Sequence, residues 1–274
     1  MSNIKLKWRS FFNAKEFPPT QIKLQIPGWA GEDKTHTNGS KPQPWHCPPF
    51  VEASTYGIEL IYPFETECTV KNINGTTVFE GDFSKEEKKY NHPMPPFMNF
   101  APGHFGFTSS FDFEPPADHV IRIEPHPKYY TDSSWTTPLP VVGHIQGEWW
   151  SKIFFVVFKQ PPSNGSYIFR KGEPYAQILI LPRRVNYEIS EMTEKEKEKR
   201  ILLEANVSKY SEEFCKKWKD HEGNTFDNKY KVLSTSFSKD GMTGVNKLIK
   251  HSAITHFKKN NNHPKVKLFR KKRK

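Results

Sequence analysis

The chain has 274 residues, with 41 Lys and Arg against 30 Asp and Glu for a formal charge of +11, 35% hydrophobic and 14% aromatic residues. That length suffices for one large β domain, or for a domain of roughly 150–200 residues with an extension, and either buries a real core. Abundant Phe, Tyr and Trp together with 23 prolines exclude a disordered chain and a helical bundle, because aromatics favour strands and proline punctuates their connections.

The N-terminal stretch MSNIKLKWRSFFNAKEF (1–17) lacks the apolar core of about 7–15 residues that a signal peptide needs. No apolar run approaches the ~20 residues of a membrane span. Cys47, Cys68 and Cys215 are scattered and form no CxxC, which fits reduced thiols in a cytoplasmic protein better than a disulfide framework or a zinc knuckle. The sequons at Asn38, Asn74, Asn164 and Asn206 are then incidental.

A β domain is expected over 18–188. TQIKLQI (20–26) alternates polar and apolar residues and reads as a first strand. A Gly, Pro, Asn and Ser-rich loop over 27–44 follows, then a strand at Gly57–Tyr62. In ECTVKNINGTTVFEGDF the Asn74-Gly75 pair sits between two β-branched runs and predicts a hairpin at 67–83. Residues 84–103, charged and then Pro-rich, read as a long surface loop. From 104 onward FGFTSSFDF, HVIRIEP, VVGHIQGEWW, KIFFVVF, SYIFRK and YAQILILP follow at intervals of roughly ten to fifteen residues. That spacing is the mark of a sandwich or barrel rather than of βαβ units.

Beyond the β domain, Thr193 and Glu196 form a T-x-x-E capping box. Leu203, Val207, Tyr210, Phe214 and Trp218 recur at helical spacing, so 189–220 is expected to be a helix with one apolar face that packs on the β domain. Residues 221–274 read as loosely structured. Nine of the chain's cations fall in 258–274 with no acid, which leaves +2 of the +11 to everything upstream. Lys265, Lys267, Arg270, Lys271, Lys272, Arg273 and Lys274 make a basic tail. Its readings are a solubilising end, a sequence-indifferent nucleic-acid partner site, and an acidic-membrane contact or nuclear import signal.

The stretch GHIQGEWWSKIFFVVFKQPPSNGSYIFRKGEPYAQILILP (143–182) resembles the deoxyuridine-triphosphatase and deoxycytidine-triphosphate-deaminase superfamily. Its members carry a G-x-I strand and a K-G-[DE]-x-x-[AG]-Q corner, positions filled here by Gly143, Ile145, Lys171, Gly172, Glu173, Ala176 and Gln177. The resemblance implies an antiparallel β-clip-like sandwich or barrel with a C-terminal helical extension, and an oligomer with sites at its interfaces. In the corner Gly172 allows a tight or left-handed turn, Lys171 and Glu173 face solvent, and Ala176 returns the chain to the core. The superfamily's triphosphatases need an Asp just after G-x-I to activate water; Gln146 stands there, and the charged region after 182 replaces their Gly-rich phosphate arm. The resemblance thus implies the fold and not the pyrophosphatase reaction.

A second resemblance covers 42–185. Trp45, Cys47 and Pro49; Gly57-Ile58-Glu59-Leu60; His104-Phe105-Gly106; Gly143-His144-Ile145 with Trp149 and Trp150; and Lys171-Gly172-Glu173-Pro174 follow the ordered motifs of a domain-of-unknown-function family in bacteria and phages. It implies no activity.

The candidate ligand residues are Trp45, His46, Glu59, His104, His144, Trp149 and Trp150. If Trp149-Trp150 lies in a strand, neighbouring side chains point to opposite faces, leaving one indole for the core and one for a groove. His104, His119, His126 and His144 with Asp112 or Glu114 are the residues that could converge as a metal set, but no H-x-H, H-x-D or HExxH spacing supports one. No metal and no cofactor is expected, and no motif marks a nucleophile. The reading is an intracellular binding protein of unassigned ligand. Two alternatives stay open: an enzyme acting on a small polar or nucleotide-like substrate in a groove of Trp149, Trp150, His144 and Glu59, and a viral structural or assembly protein.

Overall fold

A computed structural model describes the chain apart from residues 1–3, 12–13, 27, 32–34, 36–42, 91–95, 221 and 262–274. The basic tail residues Lys265 to Lys274 therefore lie outside the described residues, as does most of the loop expected after residue 27.

The elements run β1 (Lys7–Ser10), β2 (Thr20–Gln21), α1 (Pro48–Ser54), β3 (Ile58–Ile61), β4 (Cys68–Ile73), β5 (Thr76–Glu80) and α2 (Ser84–Tyr90). They continue with β6 (Phe97–Ala101), β7 (His104–Thr108), β8 (Phe111–Glu114), β9 (His119–Glu124), α3 (Lys128–Thr131), β10 (Gly143–Ile145), β11 (Phe155–Lys159), β12 (Ser166–Phe169) and β13 (Pro174–Pro182). The C-terminal part holds α4 (Glu194–Tyr210), β14 (Lys217–Lys219), β15 (Thr225–Asp227) and α5 (Lys229–Asn261). Among the described residues every strand pairing is antiparallel. Among the described residues no sheet closes on itself, so of the two expected architectures the chain adopts the sandwich-like one.

Two compact units form, one from 1–34 with 42–186 and the other from 35–41 with 187–274. In the first, a five-stranded sheet of order β10-β9-β13-β3-β2 stands with two three-stranded sheets, β11-β7-β6 and β12-β4-β5, and the pair β1-β8. Their inner faces share one core dominated by Phe97, Phe105, Phe107, Phe158, Phe169 and Tyr175. Most of these rings meet edge-on or tilted, at 4.8 Å for Phe97–Phe107 and 4.9 Å for Phe107–Tyr175, while Phe105 and Phe158 stack at 5.1 Å. In β7 and β11 this follows from simple alternation: Phe105 and Phe107 face Phe158 and Val156 across the pair.

The Asn74-Gly75 hairpin forms as expected. Ile73 pairs with Thr76, and both turn residues have positive φ, 52° and 83°, the two-residue turn whose twist matches that of the strands. Three other expectations change. The N-terminal segment is not separate from the β domain, because β1 pairs with β8 and its ion pairs Lys7–Glu114 (3.0 Å) and Arg9–Asp112 (2.7 Å) join register partners. Within 84–103 the charged half forms α2 and the Pro-rich half ends in β6. Of 20–26, only Thr20 and Gln21 pair as strand.

In the second unit the T-x-x-E box caps α4, with Thr193 N–H donating to Glu196 Oε2 at 2.8 Å. The helix stops at Tyr210, so Phe214 and Trp218 lie beyond it, Trp218 stacking on Phe226 across the β14–β15 hairpin. The region after 221 is not without regular structure: α5 fills 229–261, bent at Asp240 and Gly241. Glu213 ties the end of α4 to α5 through Lys259 (2.6 Å) and His256 (3.3 Å).

Candidate functional site

Register builds the site. Thr20, Glu59, Gln177 and Glu124 are successive partners across β2, β3, β13 and β9, so their side chains share one face of the five-stranded sheet. The alternate positions Ile58, Leu60, Ala176, Ile178, Ile121 and Ile123 face the main core. A second, small core covers the polar row: Ile22, Trp29 and Ala30, with Leu24, Trp45 and Phe50 packed against them. The result is polar side chains buried on what would otherwise be a solvated face, with Glu59 and Gln177 each 8% exposed and His126 1% exposed.

His126 precedes α3 and is held at three points. Its Nδ1 accepts from the Lys128 N–H at 3.1 Å, its carbonyl accepts from the Tyr129 N–H at 2.9 Å, and the Trp29 ring meets it edge-on at 5.0 Å. Thr131 Oγ1 donates to the Trp29 carbonyl at 2.8 Å, which fixes α3 to the covering loop. Burial holds the His126 imidazole below the usual histidine range, against the opposing pull of the Glu59 carboxylate. A neutral ring whose Nδ1 accepts carries its proton on Nε2. That N–H faces Glu59 Oε2 at 3.6 Å, too long for a strong hydrogen bond. Glu59 Oε1 accepts from Thr20 Oγ1 at 3.2 Å. His126 Nε2 and Gln177 Oε1 are both buried without a hydrogen-bond partner among the described residues.

The chemistry available is thus one N–H donor, one amide acceptor and one carboxylate, clustered beside an aromatic wall. Among the described residues no group of three or more His, Cys, Asp or Glu side chains is placed to hold a metal ion.

Of the residues singled out in the sequence, Glu59 lies in this cluster and Trp45 packs into the small core that covers it. His46 is exposed beside Trp45, its Nδ1 accepting from the Gln43 N–H at 3.2 Å. His144 is exposed on β10 and shares the sheet face, but three strand spacings, about 14 Å, separate its strand from that of Glu59. His104 belongs to another sheet and bonds the Pro102 carbonyl at 2.9 Å. Trp149 and Trp150 lie in and just after a turn past β10 rather than in a strand, so alternation does not apply, and both are exposed. Trp149 Nε1–H donates to Gln146 Oε1 at 2.9 Å, and Lys152 Nζ lies 5.9 Å from the Trp150 ring centre. The groove of Trp149, Trp150, His144 and Glu59 is not assembled.

The Lys-Gly-Glu corner also departs from expectation. Gly172 has φ +80°, the left-handed turn its position requires. Lys171 and Glu173 are not free in solvent: Lys171 reaches Glu16 at 3.0 Å and also pairs with Glu65, while Glu173 pairs with Lys128. The corner therefore braces α3, and through it His126. His126 and Gln177 are not among the candidate ligand residues read from the sequence. Gln177 closes the K-G-E-x-x-A-Q motif, which is the available signal; His126 enters the sequence reading only as one of four histidines in a metal set that no spacing supports.

No protein-family model matches the chain, and no curated protein matches it. Among solved structures the chain is similar to a native EIAV dUTPase at 12% identity and a TM-score of 0.31, with 69% of this chain and 98% of that chain covered.

Proposed function

We propose that the β domain is a binding module for a small polar ligand, seated on the outer face of the five-stranded sheet at Glu59, His126 and Gln177. The observation that carries this reading is the buried Gln177 Oε1, which has no hydrogen-bond partner among the described residues, beside a His126 Nε2 that Glu59 Oε2 approaches only to 3.6 Å. Buried polar groups are nearly always hydrogen-bonded, and exceptions mark the places of ligands or ordered water. Here the protein offers a donor beside two acceptors, so the matching ligand edge carries an acceptor beside donors. An amide or lactam edge has that pattern, which admits nucleobase-like and other small polar ligands.

The test is a titration of the full chain with uracil, cytosine and acetamide, followed through the imidazole nitrogen signals of His126. Saturable shifts are expected with at least one probe, lost in Gln177→Leu and His126→Phe. No shift with any probe, together with higher stability in both variants, would make the cluster a structural defect filled by water and end the reading.

Glu59 supports a second reading, an enzyme in which its carboxylate acts as base toward a water on a nucleotide-like substrate. Turnover of such a substrate that vanishes in Glu59→Gln separates catalysis from binding alone. The three free thiols support an intracellular setting. The nine cations of 258–274 support a nucleic-acid partner for the tail, since phosphate neutralisation needs charge and no fold. A chain ending at Asn261 should lose duplex binding that the full chain shows at about 50 mM salt and loses at about 200 mM; equal affinity of the two chains removes this partner.

A further inference from the structure

Away from the polar sheet face, a cavity of about 430 Å³ opens between the β3–β4 connection and α2, a volume in the range of small-molecule sites. Four carboxylates line it, Glu16, Glu65, Asp82 and Glu86, together with the ammonium groups of Lys85 and Lys89. Three of the carboxylates are accounted for. Lys171 pairs with Glu16 and Glu65, and Asp82 Oδ1 accepts from the Ser84 N–H at 3.1 Å.

Glu86 differs. It is 3% exposed, and its Oε1 accepts from the Thr66 N–H at 2.8 Å, but its Oε2 has no hydrogen-bond partner among the described residues. Thr66 is itself fixed, its carbonyl accepting from Tyr62 OH at 2.9 Å and its hydroxyl donating to the Asp82 carbonyl at 3.0 Å. Glu86 therefore cannot swing away without giving up a bond to an anchored backbone. A buried carboxylate oxygen without a donor is costly to the fold, and a ligand that supplies a donor recovers that cost.

Lys85 and Lys89 sit one turn apart on α2, exposed, and neither makes an ion pair among the described residues. With Lys171 counted, four negative charges face three positive ones. A bare cation meets the two lysines, and a bare anion meets the carboxylates, so neither matches the whole cavity. Nor does a metal ion, because no three ligating side chains among the described residues converge. A molecule carrying both charges matches both sets of groups.

We propose that this cavity binds a small amino-acid-like zwitterion, its ammonium on Glu86 Oε2 and its carboxylate at Lys85 and Lys89. The site is independent of the sheet-face cluster, and either stands if the other falls.

The test uses the full chain and calorimetric titration with glycine, β-alanine and γ-aminobutyrate, against butylammonium and butyrate, which each lack one charge. At least one zwitterion should bind saturably, and both single-charge analogues should bind roughly tenfold or more weakly. Glu86→Gln should weaken zwitterion binding by about tenfold. The double replacement Lys85→Ser with Lys89→Ser, on an exposed helix face, should weaken the zwitterion similarly and leave butylammonium unchanged. If Glu86→Gln does not fold, the lysine pair decides. Absence of saturable binding by every zwitterion, or unchanged affinity in the lysine variant, overturns the proposal.

Discussion

Three glycines of the β domain separate backbone strain from steric crowding, because adding one methyl group to each meets a different obstacle. At Gly143, on the edge strand β10, φ is not in the left-handed region and an added Cβ meets nothing within 4 Å. At Gly172 space is also open, the nearest atom being Phe17 Cε1 at 3.7 Å, but φ is +80°. At Gly147 φ is not left-handed, and the Cβ would lie 2.4 Å from the Phe113 carbonyl oxygen, a backbone atom that cannot step aside. Gly143→Ala should therefore be neutral or slightly stabilising, since alanine restricts the unfolded chain. Gly172→Ala should cost about 1–2 kcal/mol, the penalty of a side chain at left-handed φ. For a unit of this size that lowers Tm by roughly 2–8 °C. Gly147→Ala should cost about 1–3 kcal/mol or more, as overpacking does. Gly172→Asn should cost less than Gly172→Ala, because asparagine tolerates the left-handed region. Thermal unfolding followed by circular dichroism reads all four. If Gly172→Ala melts with Gly143→Ala, or if Gly172→Asn is worse than Gly172→Ala, the turn does not impose its φ and the account of the Lys-Gly-Glu corner fails.

Asp132 gives a pH dependence. Burial works against its charge, but hydrogen bonds from Ser134 and Thr137 prevail and hold its carboxyl at about 2. Its folded value lies below the unfolded one, so the stabilisation is present above about pH 4 and is lost as pH falls through about 2. Asp132→Ala should cost about 1–2 kcal/mol at pH 7, after allowance for screening, and the difference from wild type should shrink to a small fraction of that as pH falls to about 2; an equal cost at both pH values would show that charge is not involved. Burial first, then Glu67 and Glu80, push the Cys68 thiol up to about 12, so a thiol reagent at pH 8 should label exposed Cys47 within minutes and Cys68 only on unfolding. Rapid labelling of Cys68 in the folded chain would contradict its burial. Asn74→Ala, at φ 52° in the hairpin turn, should cost about 1 kcal/mol; no change in urea midpoint would mean the turn relaxes without strain.

What the sequence showed clearly was whatever depends on neighbours in the chain. Asn74-Gly75 needs only its own two φ angles to define a hairpin, and Thr193 with Glu196 needs only one helical turn to cap α4. The run Leu203 to Trp218 misled for the opposite reason. Its spacing is helical throughout, but Phe214 and Trp218 lie past the end of α4, and Trp218 finds Phe226 across a hairpin instead. A period of 3.6 counts apolar positions and does not say where the backbone bonds stop. Likewise Lys171 and Glu173 look solvated in isolation, and only their partners Glu16, Glu65 and Lys128, far away in sequence, make them a brace.

Both candidate sites fall in the part that chain neighbours cannot encode. Gln177 alternates correctly as an outward residue of β13, and Glu86 sits in a charged KEEKK run that reads as exposed. Each becomes buried because a distant segment covers it, the Trp29 loop with α3 over the sheet face in one case and the Thr66 backbone against α2 in the other. Apolar burial is announced by periodicity, since core residues repeat along each element. Polar burial is announced by nothing local, since the residue types that a ligand needs are those that ordinarily mark a wet surface. The separating quantity is hydrogen-bond satisfaction in three dimensions: a surface Glu or Gln bonds water, whereas Glu86 Oε2 and Gln177 Oε1 are buried and find no donor among the described residues. A buried acceptor left over after the fold has made its own bonds is therefore the feature that points beyond the chain, and both proposals place a donor from outside at such an atom.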